Sequence, residues 1–238
     1  MKRNVRLEDI SNGKLYTAKD LVRVECHDCE GCSTCCRGMA SIVLDPYDIW
    51  QLCAGLGETF EELMQEHVEL QIVDGMILPR LKMTGQSEVC TFLDENGRCG
   101  IHSFRPGICR LFPLGRYYEE DGFRYFLQVN ECRKTDQSKI KVKKWLGIPK
   151  LQAYEKYIWD WHQFLQTCEE AMKTLDDENQ KIFQLYILRT FYQTPYQRSC
   201  QPEKGKAAGE IFENEMEYEA FYQKFYGRMR ALKKRLGL

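Results

Sequence analysis

The spacing of apolar and polar residues changes character twice along the chain. Up to residue 25, short apolar stretches at 15–18 and 21–24 alternate with polar ones, as short strands do. Residues 41–44 read as a further strand. Asp45-Pro46 then places a capping residue and a proline at the start of a helix carrying Ile49, Trp50, Leu52 and Cys53, with Gly55 and Gly57 ending it. Thr59 and Glu62 have capping-box spacing and open a second short helix through about Val68. From Leu70 the pattern turns extended. Segments at 72–73, 76–78 and 81–83 are punctuated by Asp74-Gly75 and Pro79. Two apolar runs around an Asn96-Gly97 turn predict a hairpin that brings Cys90 and Cys99 together on paired strands. Prolines 106 and 113 and Gly107 exclude one regular helix across that stretch and predict a defined turn at Cys109. A second hairpin is expected over 115–130, turning at Glu119-Glu120-Asp121-Gly122, its exit strand leading to Cys132.

Beyond Ile140 the period becomes helical. Leu151, Tyr154, Tyr157, Ile158, Trp161, Phe164, Leu165 and Cys168 recur at steps of three and four, an amphipathic helix to about Leu175. A second helix is marked by Ile182, Leu185, Tyr186, Leu188 and Tyr192. A third runs from about Gly209 and ends in Arg228, Arg230, Lys233, Lys234 and Arg235, a cluster that complements a helix C-terminal dipole on a solvated face. The expectation is an α+β protein, with a cysteine-rich loop-and-hairpin region over 1–139 and a helical region over 140–238 packed with it as one unit.

Composition adds mainly exclusions. With 43% hydrophobic residues in 238, there is enough apolar side chain for a packed core. The 34 basic and 35 acidic residues nearly cancel, so no global field draws in nucleic acid or an anionic membrane, and neither partner is expected. No run approaches the roughly 18 apolar residues of a membrane span, and residues 1–9 lack the apolar core of a signal peptide. The expected location is the cytoplasm. Twelve cysteines in a reducing compartment point to metal ligation rather than to disulfides.

Five of the twelve fall in residues 26–36, as Cys26, Cys29, Cys32, Cys35 and Cys36. A Cys-x-x-Cys step is the shortest spacing that lets a turn aim two sulfurs at one centre, and Asp28, Gly31 and Ser33 suit such turns. The remote ligands expected to complete the set are Cys90, Cys99, Cys109 and Cys132. Neighbouring Cys35 and Cys36 are expected to diverge and so to serve two centres, or a cluster and its surroundings. With Cys29 and Cys32, these cysteines make eight expected metal ligands, enough for two four-thiolate sites. Arg105 and Arg110 flank Cys109 and are candidates to offset thiolate charge and donate to sulfur. Cys26, His27 and His102 are left without an assigned role, Cys53, His67 and Cys168 read as packing or surface residues, and Cys200 as a free thiol.

The ordered motifs Cys29-x2-Cys32-x2-Cys35-Cys36, Cys90-x-Phe92-Leu93, Gly97-x-Cys99-x-Ile101-His102, Arg105-Pro106-x-x-Cys109-Arg110-x-Phe112-Pro113 and the later Cys132 resemble the YkgJ family of cysteine-cluster proteins, whose CxxCxxCC signature is described as zinc- or iron-chelating. The resemblance covers roughly residues 26–165 and departs at His102, where the family more often has Tyr. More distantly, the arrangement is similar to that of flagellin lysine methylases, which implies an iron-sulfur protein linked to protein modification. No glycine-rich nucleotide loop follows a strand here to support methyl transfer. Three cysteines at steps of three with a remote fourth is also how bacterial ferredoxins hold a four-iron cluster. Zinc accepts the same thiolates. An iron-sulfur cluster, 4Fe-4S above all, is favoured, with zinc as the alternative. The expected roles are redox or accessory to modification of a protein substrate or partner, against a zinc-stapled interaction module or a metal carrier.

Overall fold

In a computed structural model, residues 6–25, 33–39, 42–132, 137–196 and 215–237 are described. In chain order they form α1 (Leu7–Ile10), β1 (Ser11–Tyr16), β2 (Leu21–Glu25), α2 (Pro46–Leu56), α3 (Phe60–Glu66), β3 (Val68–Val73), β4 (Met76–Leu81), β5 (Met83–Thr84) and β6 (Val89–Cys90). Then come α4 (Gly107–Leu111), β7 (Leu114–Glu119), β8 (Gly122–Gln128), β9 (Ser138–Lys141), α5 (Val142–Leu146), α6 (Leu151–Met172), α7 (Asp177–Leu188) and α8 (Glu215–Leu236). This is an α+β fold with a helical C-terminal half. Its strands make small antiparallel sheets, β1-β8-β7, β2-β9, β3-β4 and β5-β6.

The chain divides into two compact units, each assembled from three stretches. The first holds Met1–Ala40, Met83–Gly100 and Gly107–His162; the second holds Ser41–Lys82, Ile101–Pro106 and Gln163–Leu238. The division falls inside α6.

In the first unit the predicted hairpin forms, with Glu119 opposite Gly122, and β1 adds to its far edge through Leu15 opposite Phe126 and Tyr16 opposite Tyr125. Gly115 on β7 sits beneath the Phe126 ring, so close that a Cβ there would lie 2.3 Å from a ring carbon. Tyr125 donates to Glu155 on α6 at 2.8 Å, and Arg116 donates to Tyr154 at 3.3 Å. Residues 138–141, which straddle the start expected for the helical region at Ile140, instead form β9. They pair with β2, from which they are separated by more than a hundred residues, a partner that no local pattern announces. The ribbon continues into α5, where Val142 and Lys143 donate to the Asp20 and Ala18 carbonyls and Trp145 donates to the Phe112 carbonyl at 3.1 Å.

In the second unit the local signals act as expected. Asp45 accepts from the Asp48 amide while Asp48 accepts from the Asp45 amide, and Thr59 and Glu62 form the same reciprocal box. Asp74 and Gly75 both take positive φ, 49° and 80°, closing β3 onto β4 with the twist that two-residue hairpins favour. Three expectations shift. Residues 42–44 make only a bridge at Val43 to Arg80, flanked by hydrogen bonds from Leu44 to Pro79 and from Leu81 to Ile42, not a full strand. The second helix stops at Glu66 and Val68 opens β3. Gly57 ends α2 with φ 74°, but Gly55 lies within the helix, because the Phe104 ring occupies the space of its missing side chain.

The core of this unit is aromatic. Tyr47 stacks on Tyr222 at 6.2 Å and Trp50 on Phe221 at 5.1 Å, joining α2 to α8, while Phe191 packs on Phe164 and Phe225. The basic end of α8 is more engaged than a solvated face. Arg228 donates to the carbonyls of Thr190, Thr194 and Pro195, satisfying the C-terminus of the π-type turn Arg189–Gln193, and lies 4.0 Å from the Tyr196 ring centre. Arg235 donates to Tyr186. The start expected for this helix, near Gly209, lies outside the described residues, as does Cys200.

Gly115→Ala is expected to destabilise the protein by about 1–3 kcal/mol, since its methyl must displace a packed ring. Chemical denaturation with unchanged slope and a lowered midpoint is the measurement.

Candidate metal centre

Cys35 and Cys36 sit on a single 3-10 turn, Thr34–Cys36, entered through Ser33 in the left-handed region at φ 44°. This tight turn overrides the divergence expected of neighbouring side chains and leaves the two sulfurs 4.0 Å apart. The segment is strapped to β6 by a bridge between Arg37 and Val89 and by a hydrogen bond from the Gly38 amide to the Glu88 carbonyl at 3.0 Å. That strap carries Cys35 and Cys36 to the strand holding Cys90.

Cys90 pairs with Met83 on β5, not with Cys99. The chain then reverses: Leu93 donates to the Cys90 carbonyl, a turn over Asp94–Gly97 follows, and Cys99 forms a bridge with Leu93. The expected cross-strand pair is therefore replaced by two cysteines on successive turns. They still feel each other's charge, and both act on the Cys35–Cys36 pair.

The electrostatics of Cys36 and Cys90 run one way. Cys36 is pushed well above the usual thiol range, first by its hydrogen bond with Cys35, then by burial, then by the charges of Cys35, Cys99 and Cys90. Cys90 is raised by burial and by Cys99 and Cys35, partly offset by the Phe92 amide, which donates to its sulfur. A thiolate here is costly until a cation supplies the opposing charge.

The remaining candidates are placed as follows. Cys109 is half-buried in the short helix α4, a single helical turn where a defined turn was expected, with half-buried Arg110 beside it and its guanidinium near Gly147. Cys132 accepts a hydrogen bond from the Gln137 side chain at 3.2 Å. All six of these cysteines belong to the first unit, whereas Arg105 and His102 belong to the second. Cys26, His27, Cys29 and Cys32 lie outside the described residues. Among the described residues, no three His, Cys, Asp or Glu side chains form a group that could hold a metal ion. Cys53 is half-buried on α2, and Cys168 is buried on α6, where burial pushes its thiol up to about 12 against a small opposing pull from Lys233. Two sulfur donors were not legible in the sequence. The Phe92 amide carries no side-chain signal, and Gln137 is tied to Cys132 only by the fold.

Raised thiols make the pH response depend on the state of the centre. Without metal, the folded state holds protons more tightly than the unfolded chain, so stability should fall as pH rises above about 8.5, the ordinary thiol value. With metal bound as thiolate, protons compete, so metal should be lost on acidification and released protons should accompany loading. Thermal melts of both states against pH, with proton release followed by a pH-indicator dye, measure the opposite signs.

Residues 28–144 match the family model CxxCxxCC, described as a "putative zinc- or iron-chelating domain". Neither the curated proteins nor the solved structures yield a match to the chain. No helix of the described residues is long and apolar enough to cross a membrane. The cysteine pattern and the matched span agree: over residues 28–144 this chain carries a domain of the CxxCxxCC cysteine-cluster family.

Proposed function

We infer that this is a metal-thiolate protein whose described centre takes one ion, zinc or iron, on Cys35, Cys36, Cys90 and Cys99. The observation that carries the reading is the 4.0 Å separation of the Cys35 and Cys36 sulfurs. A tetrahedral ion with metal–sulfur bonds near 2.3 Å has sulfurs about 3.8 Å apart along each edge. A four-iron cluster puts each thiolate on a separate iron and needs wider spacing. Closing the shell brings Cys90 and Cys99 inward to the same edge length, drawn by the cation whose charge their thiolates lack.

A second reading keeps the iron-sulfur cluster, 4Fe-4S, and its support is the Cys29-x2-Cys32-x2-Cys35 spacing with Cys109 and Cys132 as remote ligands. Arg110, adjacent to Cys109, then offsets cluster charge, and Arg105 is a weaker candidate for the same role. In either case the centre serves a cytoplasmic protein acting on, or with, another protein, as the distant likeness to a protein-modifying family suggests. Reading the twelve cysteines as metal ligands rather than disulfides fits a reducing compartment.

Anaerobic purification with elemental and acid-labile sulfide analysis is the test. Zinc or iron without sulfide, lost in Cys36→Ser and Cys90→Ser and kept in Cys168→Ala, is the expected result for the single-ion centre. Iron with matching sulfide and broad absorbance near 400 nm selects the cluster, and metal-free protein that folds normally overturns both.

A further inference from the structure

The β2-β9 ribbon has two unlike faces. Val22 and Val24 are 2% and 0% exposed and point inward with Ile140 opposite Val22. The outer face is a grid of four exposed side chains, Leu21 opposite Lys141 and Arg23 opposite Lys139. α5 begins at the next residue and adds exposed Lys143 and Lys144. Like charges directly opposite each other on paired strands are destabilising. A chain with 34 basic and 35 acidic residues is not short of carboxylates to place there, yet the register sets Arg23 against Lys139. The carboxylates nearest in sequence are Glu25, which closes β2 opposite Ser138, and Asp20, which is taken up by the Thr17 amide and hydroxyl at 2.7 and 2.8 Å.

We propose that this cationic ribbon is a docking surface for an acidic segment of a partner protein, three carboxylates meeting Arg23, Lys139 and Lys141 around one apolar residue on Leu21. Charge complementarity selects an anion. Leu21, 55% exposed within the cationic grid, suits an apolar peptide side chain better than a nucleic-acid base, which binds best on an aromatic platform. Lys139 and Lys141 stand two residues apart on one strand, about 7 Å, the same step that separates side chains on one face of an extended peptide.

The surface also adjoins the cysteine region through one residue. Gln137, immediately before β9, accepts from the Arg23 guanidinium through its carbonyl at 3.0 Å and donates through its side chain to the Cys132 sulfur. A docked segment therefore sits one residue from a candidate metal ligand. The proposal does not depend on which metal the centre holds.

The test is fluorescence anisotropy of the full chain with a labelled peptide repeating Glu-Ser-Leu-Ser-Glu. Saturable binding that weakens with salt, falls about tenfold or more in Lys139→Glu/Lys141→Glu and severalfold in Leu21→Ser, is expected. Lys139→Glu alone should cost affinity while leaving the melting temperature unchanged or higher, since it turns the repulsive pair with Arg23 into an attractive one. Tighter binding of a single-stranded oligonucleotide or of phosphatidylserine vesicles than of the peptide overturns the proposal. So does peptide binding indifferent to the lysine substitutions, or a Lys139→Glu chain that loses stability together with affinity. Metal content measured on the same samples bears only on the thiolate reading, so failure of one is not failure of the other.

Discussion

Crowded sulfur is the constraint on which the described centre depends. Cys35, Cys99 and Cys90 each raise the cost of ionising Cys36, and Cys99 and Cys35 raise that of Cys90. Bringing them together gathers weakly bonding groups, among whose contacts are the Cys35–Cys36 pair and the Phe92 amide at Cys90. A cation changes the balance, because the proximity that is unfavourable among bare thiolates becomes the shell of an ion. The strap from Arg37 and Gly38 to β6 matters for the same reason: it holds two sulfurs next to a third before any ion contributes.

What was legible in the sequence is what is decided locally. The two capping boxes at Asp45 and Thr59, the Asp74-Gly75 reversal and the Glu119–Gly122 hairpin each depend on residues within a few positions, and each forms. The α+β class and the cysteine-cluster signature were legible too, because composition and spacing carry them. Long-range pairing was not. β9 looks like the approach to a helix and becomes a strand because β2 offers its edge, and Gly55 looks like a helix stop until Phe104 fills the space beside it. At the candidate centre, the pattern pointed to the cysteines without showing their geometry. The notion that Cys35 and Cys36 diverge holds for a regular strand and is overridden by a 3-10 turn, and the Asn96-Gly97 signal marks a reversal without making Cys90 and Cys99 strand partners.

The two units handle polar atoms differently. In the second, cations on α8 finish a helix end, Arg228 on three carbonyls and Lys224 on the Tyr196 carbonyl, so charge is spent on backbone. In the first, the Arg23, Lys139 and Lys141 side chains stand on the open face of a two-stranded ribbon. There Arg23 also reaches a backbone carbonyl, that of Gln137, while Lys139 and Lys141 are exposed.

The interleaving of the units bears on how the protein is made. Because each unit is drawn from three separated stretches, neither can be cut out as a continuous fragment. During synthesis Cys35 and Cys36 emerge well before Cys90 and Cys99, with most of the second unit's first stretch in between. The nascent chain thus carries exposed thiols through the period when helices α2 and α3 can already form, and premature capture of a metal by the early cysteines alone, or their oxidation, is the hazard built into this order of ligands.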